Sequence, residues 1–379
     1  MVAMSDTAAT LRLELADKIG SVSWRKALET VPRERFLGEA VYRPDKNRFG
    51  WWTPVRRADA PEGAWLALAY ANETWPTQVE GLLAEDSTRP VSGYPSSSST
   101  LPGLVVRMLE AAEIEEGNKV LEIGTGTGYS TALMCQRLGN DAVFSIEYDP
   151  LVAARARDAI TGAGYAPTLV EGDGLRGYAE NAKYDRLIAT CSVRTIPREW
   201  PQQIRVGGTI TAPLSGWMGE TAFAHLTVAD DGTASGRFLE DDLSFMTARS
   251  HLPPPRPPLV RGLGIARESR VDPSVLQDRT ALWVAQLAIP QAQVAWGDGA
   301  TFLVDASTGS RAEAQPDPAG GWTVRQHGPL KLWDAVEKAI ETWQEAGSPH
   351  KSGFGLTVTR EGQRVWLGNP AGPNWSLPA

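Results

Sequence analysis

The chain has 379 residues, of which 42% are hydrophobic and 22% charged, and its formal net charge is −8. This length allows roughly two to three domains, and the composition is typical of a globular protein. The negative charge argues against non-specific nucleic-acid binding, which needs a basic face, and no run approaches the ~20 apolar residues of a membrane span. We therefore expect neither nucleic acid nor a membrane as a partner.

Neither the first residues nor the cysteines indicate export or a metal site. The start, MVAMSDTAATLRLELADKIG, lacks a basic stretch followed by an apolar one, which predicts that there is no signal peptide. Cys135 and Cys191 form neither a disulfide framework nor a Cys-x-x-Cys pair, and the four histidines lack metal-binding spacing. The sequence thus predicts a cytoplasmic protein without a metal. Small basic clusters at residues 46–48 and 56–57 are typical of solvated surface.

Elements that alternate in type follow an N-terminal part of mixed character. Residues 8–36 are predicted to be helical, and residues 37–100 are rich in turns and tryptophans and end in SGYPSSSST. From Leu101 to about residue 215, helical patterns (LPGLVVRMLEAA, GYSTALMCQRLG, LVAARARDAITGAG) alternate with short apolar runs (KVLEIG, AVFSIEY, APTLVEG, DRLIAT, GGTITAPL). This alternation predicts βαβ units and an α/β fold with a doubly wound, mostly parallel sheet.

The last third of the chain is predicted to be a separate module. FAHLTVADDGTASGRFL has the pattern of a hairpin, and five prolines in HLPPPRPPLVRG indicate a stiff linker at residues 251–262. Beyond it, one apolar face from Leu332 to Trp343 predicts a helix that Gly347 ends, and FGLTVTREGQRVWLG predicts another hairpin. We therefore expect a helical cap at 1–85, a core at 86–250 and an α+β module at 263–379. The seven tryptophans of this module belong either to its core or to an aromatic groove for a peptide.

The most informative stretch is VLEIGTGTGYSTAL, residues 120–133. Alternating glycines after a buried strand let the backbone approach a ligand closely, and the following helix directs free N–H groups at it. A dinucleotide fingerprint has the order G-x-G-x-x-G, whereas this order is E-x-G-x-G-x-G, with Glu122 two residues before Gly124. An acid there suits a cationic ligand better than a pyrophosphate. S-adenosylmethionine, which carries a sulfonium and an ammonium, fits; a nicotinamide dinucleotide is the alternative.

Acids at the ends of the next two strands are consistent with a nucleoside. Glu147 ends AVFSIE about twenty residues after the loop, where a carboxylate can accept hydrogen bonds from both ribose hydroxyls. Asp173 in GDG follows the third strand and can accept from an adenine amino group. Either cofactor has these groups, so the two acids do not discriminate. The predicted cofactor contacts are Glu122, Gly124, Thr125, Gly126, Thr127, Gly128, Tyr129, Glu147, Tyr148, Asp173 and Gly174.

Several pieces occur in an order and spacing that are specific together, namely VPRERFLGEA, STLPGLVVRMLE, VLEIGTGTGYSTAL, SIEYDP, EGDG, YDRLIAT, IPREW and VGGTITAPL. On these pieces the chain, to about residue 215, resembles the protein-L-isoaspartate O-methyltransferase family. The resemblance implies a Rossmann-like class I methyltransferase fold with S-adenosylmethionine as cofactor and S-adenosylhomocysteine as product. It also implies methylation of a peptide carboxylate, whose methyl ester then loses methanol to a backbone amide and gives a succinimide.

The chain departs from the repair enzymes of this family at two places. Where they have Thr-Ile-Ser-Gln-Pro, this sequence has Ser98-Ser99-Thr100-Leu101-Pro102, and we expect the linker and C-terminal module to have no counterpart in them. In both respects the chain resembles the methyltransferases that accompany ATP-grasp peptide maturases in graspetide biosynthesis. That resemblance implies, as substrate, an aspartate of a cross-linked ribosomal peptide, an aspartimide as product and an ATP-grasp ligase as companion. The alternatives are a general repair methyltransferase and a binding module that has lost the chemistry.

The expected reaction needs no catalytic base. An aspartate carboxylate has a pKa near 3.9 and is already ionised at neutral pH. Catalysis must then come mainly from orientation of the reacting atoms. Ser98, Ser99 and Thr100 are the candidates for this task, as short neutral donors that orient a carboxylate without neutralising it. The alternative for SGYPSSSST is a flexible polar linker.

Overall fold

A computed structural model of the chain describes residues 2–241 and 243–378. By their contacts the residues form two compact units, Met1–Thr190 with Glu199–Thr211, and Cys191–Arg198 with Ala212–Ala379. This division differs from the domain ranges expected from sequence, which assigned residues 212–250 to the core. The physical reason is a strand pairing, because residues 234–237 form an antiparallel ladder with residues 355–358.

The first unit contains the elements that precede and build the parallel sheet. Its helices are α1 (Val2–Ile19), α2 (Arg25–Thr30), α3 (Ala64–Tyr70), α4 (Pro102–Ala111), α5 (Tyr129–Leu138), α6 (Pro150–Gly162) and α7 (Glu199–Gln203). Its strands are β1 (Ala40–Pro44), β2 (Trp51–Arg56), β3 (Trp75–Val79), β4 (Leu82–Leu83), β5 (Val91–Ser92), β6 (Pro95–Ser99), β7 (Val120–Ile123), β8 (Val143–Glu147), β9 (Thr168–Glu171), β10 (Tyr184–Ala189) and the first part of β11 (Ile204–Ser215).

The parallel sheet confirms the α/β prediction. Its strands run β9-β8-β7-β10-β11, with parallel pairing throughout. The order reverses next to β7, so the carboxyl ends of β7, β8 and β9 form one edge where ligands of such sheets bind. β7 is buried on both faces. The helices α4, α5 and α6 lie where the sequence patterns predict them.

Two small antiparallel sheets precede the parallel one, in the orders β1-β2-β5 and β4-β3-β6. The serine run forms β6, whose register pairs Ser99 with Trp75 and Ser98 with Pro76. It is therefore a strand and not the flexible linker considered above. The predicted helical region 8–36 consists of α1, α2 and a 3₁₀ turn at Arg33–Arg35, with Gly20 at φ +72° ending α1.

The second unit is mainly antiparallel. It contains α8 (Arg279–Ala288), α9 (Leu332–Glu345) and the strands β12 (Thr221–Val228), β13 (Ala234–Phe238), β14 (Ile265–Glu268), β15 (Gln293–Gly297), β16 (Ala300–Val304), β17 (Arg311–Pro316), β18 (Trp322–His327), β19 (Phe354–Val358), β20 (Gln363–Leu367) and β21 (Asn374–Ser376). Both predicted hairpins, β12–β13 and β19–β20, and the helix α9 are confirmed. The strands β14 to β18 form a separate sheet in the order β14-β18-β17-β16-β15.

The tryptophans of the second unit mostly fill its interior. Trp283 and Trp333 have no exposed surface, and Trp343 and Trp366 are 7% and 5% exposed. Trp283 makes edge contacts with Phe238 and Phe354, with ring centroids 5.1 and 4.9 Å apart. Trp296, by contrast, is half exposed. Across residues 2–241 and 243–378, no helix has the length and apolar character to cross a bilayer.

Candidate functional site

The glycine loop leaves β7 and enters α5 at the ligand-binding edge of the parallel sheet. Gly124, Gly126 and Gly128 all have positive φ, of 98°, 56° and 87°. A Cβ on Gly128 would lie 2.8 Å from two carbons of Ile160, so both the backbone conformation and the contact with α6 require glycine there. The loop thus keeps an open backbone surface in front of the α5 N-terminus, as expected from sequence.

Glu122 holds this loop from the inside of the protein. Its side chain has no exposed surface, and its carboxylate accepts hydrogen bonds from Ser130 (2.5 Å), Thr131 (2.5 Å) and Ser145 (2.7 Å). Burial raises the pKa of Glu122 to about 7, against the opposing effect of the three hydroxyls. The structure therefore places Glu122 as an internal support of the loop.

Thr125 extends this network into the loop. Its hydroxyl lies 2.7 Å from that of Ser145, and its N–H donates to Ile146 O (3.1 Å). One strand-end hydroxyl, on Ser145, therefore contacts both the buried carboxylate and the loop.

Glu147 ends β8 with its carboxylate against the loop. One oxygen accepts from Gly126 N–H (2.8 Å) and the other from Asp149 N–H (3.0 Å). Burial raises the pKa of this carboxyl, opposed by these backbone hydrogen bonds. A carboxylate held in this way beside the loop can accept from the two hydroxyls of a ribose, which is the role expected for Glu147.

The other predicted cofactor residues differ in their surroundings. Asp173 follows β9 and caps a 3₁₀ turn, accepting from Leu175 N–H (3.0 Å). Gly174 leaves no room for a side chain, because a Cβ there would lie 2.4 Å from Ile123. Tyr148 is half exposed next to Glu147, whereas Tyr129 is 3% exposed and its ring packs edge-on against Phe36. Tyr129 is thus a core residue at the start of α5, a placement that differs from the surface contact expected.

The end of β6 lies beside the glycine loop. Ser98 O is 3.8 Å from the position that a Cβ on Gly126 would occupy. The Ser99 side chain is 1% exposed, and its hydroxyl is buried without a partner in the described part of the chain. Thr100 follows directly, and within residues 2–241 and 243–378 its hydroxyl makes no hydrogen bond. The structure therefore brings the hydroxyl-rich strand and the loop together.

Arg33 supports the candidate site, although nothing in the sequence indicated this role. It is fully buried, and its guanidinium donates only to main-chain oxygens, those of Ala69 (2.7 Å), Ala71 (2.7 Å), Glu73 (2.8 Å), Ser99 (3.4 Å) and Thr100 (3.2 Å). Desolvation lowers its pKa to about 10. Arg33 belongs to the quoted piece VPRERF, but only the folded chain shows that it holds the backbone at Ser99 and Thr100.

A cleft of about 590 Å³ opens at the glycine loop and continues along α6. Gly126, Thr127 and Ser97 line one end, and residues 35–40 face the helix along its length. The volume is that of an ordinary small-molecule pocket. Glu147, Asp173 and Thr100 do not line it, so this cleft alone does not contain every candidate residue.

Comparison with known proteins assigns this part of the chain to one family. The family described as "Protein-L-isoaspartate(D-aspartate) O-methyltransferase (PCMT)" matches residues 77–248. A protein-L-isoaspartate O-methyltransferase of Thermococcus onnurineus is 34% identical over 198 residues, covering 52% of this chain and 80% of that one. The chain belongs to the protein-L-isoaspartate O-methyltransferase family. Membership confirms the class I methyltransferase fold and S-adenosylmethionine as the cofactor.

The coverage of relatives is partial. The enzyme of Ignicoccus hospitalis is 37% identical over 141 residues, which is 37% of this chain and 66% of that one. The chain spans 66%, 65% and 66% of three such relatives, just under two thirds of their length.

A solved structure corrects one expectation about the C-terminal part. A structure titled protein-L-isoaspartate O-methyltransferase matches with a TM-score of 0.56 and 19% identity, covering 94% of this chain and 100% of its own. Only 6% of this chain (100% minus 94%) lies outside that match, far less than residues 263–379. The expectation that the C-terminal module has no counterpart in such proteins is therefore wrong.

Replacing Glu147 tests the ribose contact. Glu147→Ala removes an acceptor that two ribose hydroxyls share, and hydrogen bonds to a charged group contribute ~1.5–3 kcal/mol each, so the affinity for S-adenosylhomocysteine should fall about hundredfold or more. Isothermal titration calorimetry measures this. Glu171→Ala, at the paired and exposed end of β9, is the matched control and should bind normally. Unchanged affinity of Glu147→Ala contradicts the assignment.

Replacing Glu122 tests the buried carboxylate through pH. Because the pKa of Glu122 is raised from 4.5 to about 7 in the fold, its stabilising contribution is complete below pH 4.5 and is lost as the pH rises to about 7. Relative to Glu122→Gln, the ligand-free protein should therefore lose about 1–3 kcal/mol of unfolding free energy over this range. Urea unfolding at several pH values measures the difference. Parallel pH profiles for the two proteins contradict an ionising Glu122, and Glu116→Gln, at an exposed position, serves as control.

Proposed function

We propose that this protein uses S-adenosylmethionine to methylate the side-chain carboxylate of an aspartate in a cross-linked ribosomal (graspetide-type) peptide, whose methyl ester then closes to an aspartimide. The observation that carries this proposal is the position of the hydroxyl-rich end of β6. Ser98 lies against Gly126 of the cofactor loop, and the Thr100 hydroxyl has no hydrogen-bond partner in the described chain. A carboxylate at Thr100 is then next to the cofactor loop.

The transfer step requires orientation more than proton movement. When bound, S-adenosylmethionine supplies a methyl group on a positively charged sulfur. The substrate carboxylate is ionised at neutral pH, so its oxygen forms the new bond to the methyl carbon while the carbon–sulfur bond breaks, and the electron pair stays on sulfur. Neither a base nor an acid is needed, which agrees with neutral hydroxyls at Ser98 and Thr100. The Ser99 hydroxyl, expected from sequence to take part, is buried and therefore inaccessible to a bound substrate.

The chain's own residues would orient these reactants. The Thr100 hydroxyl donates to one carboxylate oxygen and leaves the other free to react, whereas a lysine or arginine there would reduce its nucleophilicity. Glu147 holds the ribose, and Arg33 fixes the backbone that carries Thr100. Orientation of this kind can remove ~7–11 kcal/mol from an activation barrier.

The second step follows from the ester. The amide nitrogen of the next residue attacks the ester carbonyl and loses its proton, and methanol leaves, so that a five-membered succinimide ring forms. No residue is assigned to this step, because it proceeds on the ester itself. The product is the aspartimide, and the net change is loss of water from the aspartyl peptide.

Repair of isoaspartate in damaged proteins is the second candidate function. The names of the matched relatives favour it, and so does the structural counterpart of the C-terminal part. The presence of Thr100-Leu101-Pro102 where the resemblance implies Ser-Gln-Pro favours the peptide-modifying function instead. As parts of the same proposal, the protein acts in the cytoplasm beside an ATP-grasp ligase, and residues 263–379 contribute contacts to the peptide.

A substrate comparison separates the two functions. The full chain is incubated with S-adenosylmethionine and either an isoaspartyl model peptide or a candidate ribosomal peptide cross-linked by its ATP-grasp ligase. Mass spectrometry should show gain of a methylene on the cross-linked peptide, followed by loss of methanol, with little methylation of the isoaspartyl peptide. The linear peptide and its Asp→Asn form are controls. Efficient turnover of the isoaspartyl peptide alone overturns the proposal in favour of repair.

Replacing Thr100 tests the carboxylate contact. Thr100→Val keeps the shape of the side chain and removes the hydroxyl, so kcat should fall about ten- to hundredfold through loss of one hydrogen bond to a charged group. The affinity for S-adenosylhomocysteine should stay within about twofold, since the hydroxyl contacts the substrate. Thr100→Ser, which retains the hydroxyl, should restore most of the activity. Equal losses of turnover and cofactor affinity would instead place Thr100 at the cofactor.

A further inference from the structure

Two exposed aromatic residues lie on neighbouring segments of the chain, Phe49 in the hairpin that joins β1 and β2, and Tyr94 between β5 and β6. The side chain of Phe49 is fully exposed, and that of Tyr94 is 82% exposed. Their positions are linked, because Gly93 N–H donates to Gly50 O (2.9 Å) and Trp51 pairs with Ser92. An isolated exposed apolar residue needs no explanation, but two exposed aromatic residues on paired backbone segments are typical of a binding surface.

The same hairpin has a charge opposite to that of the whole chain. Residues 40–57 contain five Lys or Arg and one Asp, a net charge of +4, whereas the chain carries −8. Asp45 is paired with Arg48 (2.7 Å), and Arg48 also lies over the Trp51 ring. In the described structure, Arg43 and Lys46 are exposed and have no carboxylate within ion-pair distance, although the Arg43 guanidinium lies over the Trp75 ring, 5.2 Å from its centroid.

The acids nearest to these rings offset only part of this charge. The Glu80 carboxylate accepts from Tyr94 N–H (2.7 Å), and Glu39 pairs with Arg57 (3.6 Å). We call Arg43, Lys46, Phe49, Trp51 and Tyr94 together the hairpin surface. The hairpin surface combines exposed aromatic side chains with cations that no carboxylate neutralises. It is therefore complementary to an acidic peptide that also has apolar side chains.

The hairpin surface is continuous with the proposed reaction site. Tyr94 immediately precedes β6, and Thr100 follows Tyr94 by six residues, so the extended chain between them covers about 20 Å. A peptide lying along β6 with its aspartate at Thr100 reaches the hairpin surface about six residues away. The hairpin at residues 40–56 also lies outside residues 77–248, which match the family.

We propose that the hairpin surface binds an acidic segment of the substrate peptide, with an apolar residue against Phe49 and Tyr94, about six residues from the methylated aspartate. This inference rests on the proposed function and adds the class of peptide that the protein selects. It also reassigns the basic cluster at residues 46–48, which the sequence alone indicated to be ordinary solvated surface.

The test uses the full chain saturated with S-adenosylhomocysteine and two fluorescein-labelled peptides. The acidic peptide has one Asp-Gly acceptor and, about six residues away, a run of glutamates with one leucine. The second peptide has glutamines in place of the glutamates. Fluorescence anisotropy measures both affinities in the natural protein, in Arg43→Glu/Lys46→Glu, in Phe49→Ser/Tyr94→Ser and in Lys338→Glu, an exposed lysine on α9 that serves as charge control.

Charge reversal at Arg43 and Lys46 should weaken binding of the acidic peptide about tenfold and leave the glutamine peptide unchanged, since each exposed ion pair contributes ~0.2–1 kcal/mol. The aromatic double variant should weaken both peptides, and Lys338→Glu should weaken neither. Equal affinities across all variants overturn the proposal, and so does tighter binding of a single-stranded oligonucleotide than of the acidic peptide. Thermal unfolding of each variant establishes that it is folded.

A second measurement separates this inference from the proposed function. Methylation of a short Asp-Gly peptide without the acidic segment should proceed with unchanged kcat in the charge-reversal variant. If no peptide is methylated by the natural protein, the proposed function fails, and the anisotropy result still decides the docking surface. If methylation occurs but the variants bind the acidic peptide normally, only the docking surface fails.

Discussion

The cofactor loop is held from within by a carboxylate that has no contact with water. Removing a carboxylate from water is costly unless hydrogen bonds replace its solvation, and Glu122 obtains three from hydroxyls on α5 and β8. These bonds tie the strand before the loop, the helix after it and the neighbouring strand to one group. The positive φ angles of the loop glycines are thereby maintained.

A second buried charge holds the other side of the proposed reaction site. The buried guanidinium of Arg33 donates hydrogen bonds to main-chain oxygens at the end of α3 and just after it, and to those of Ser99 and Thr100. It has no carboxylate partner in the described structure. Since the reaction needs orientation and no proton transfer, rigid support of both reactants is the main contribution the protein can make. Glu122 supports the glycine loop through side-chain hydroxyls, and Arg33 supports the end of β6 through backbone carbonyls.

The parts of the chain proposed to select the substrate lie at the end of β6 and on the hairpin between β1 and β2. The hydroxyl-rich segment at the end of β6 is proposed to contact the substrate carboxylate, and the basic hairpin at residues 40–56 lies outside the residues matched to the family. The C-terminal part gives weaker support for a distinct substrate, because a solved structure titled protein-L-isoaspartate O-methyltransferase has a counterpart of it. Selection of a particular peptide is therefore proposed to depend on residues near β6, where the polypeptide meets the reacting carboxylate.

The sequence alone determined the parallel sheet, the glycine loop, the cofactor and the hydroxyl-rich candidates. These follow from local patterns, since alternating apolar runs predict strands and helices, and alternate glycines after a strand let the backbone approach a ligand. The sequence also indicated that Glu122 faces a cationic ligand, whereas the fold buries its carboxylate among three hydroxyls. The sequence did not determine that Glu122 lies inside the protein or that Tyr129 belongs to the core, because burial depends on which elements cover a side chain. Nor could it show that Arg33 contacts Ser99 and Thr100, which lie 66 and 67 residues away along the chain. The division into units likewise depends on the pairing of β13 with β19, and pairing between distant strands leaves no signal in local periodicity.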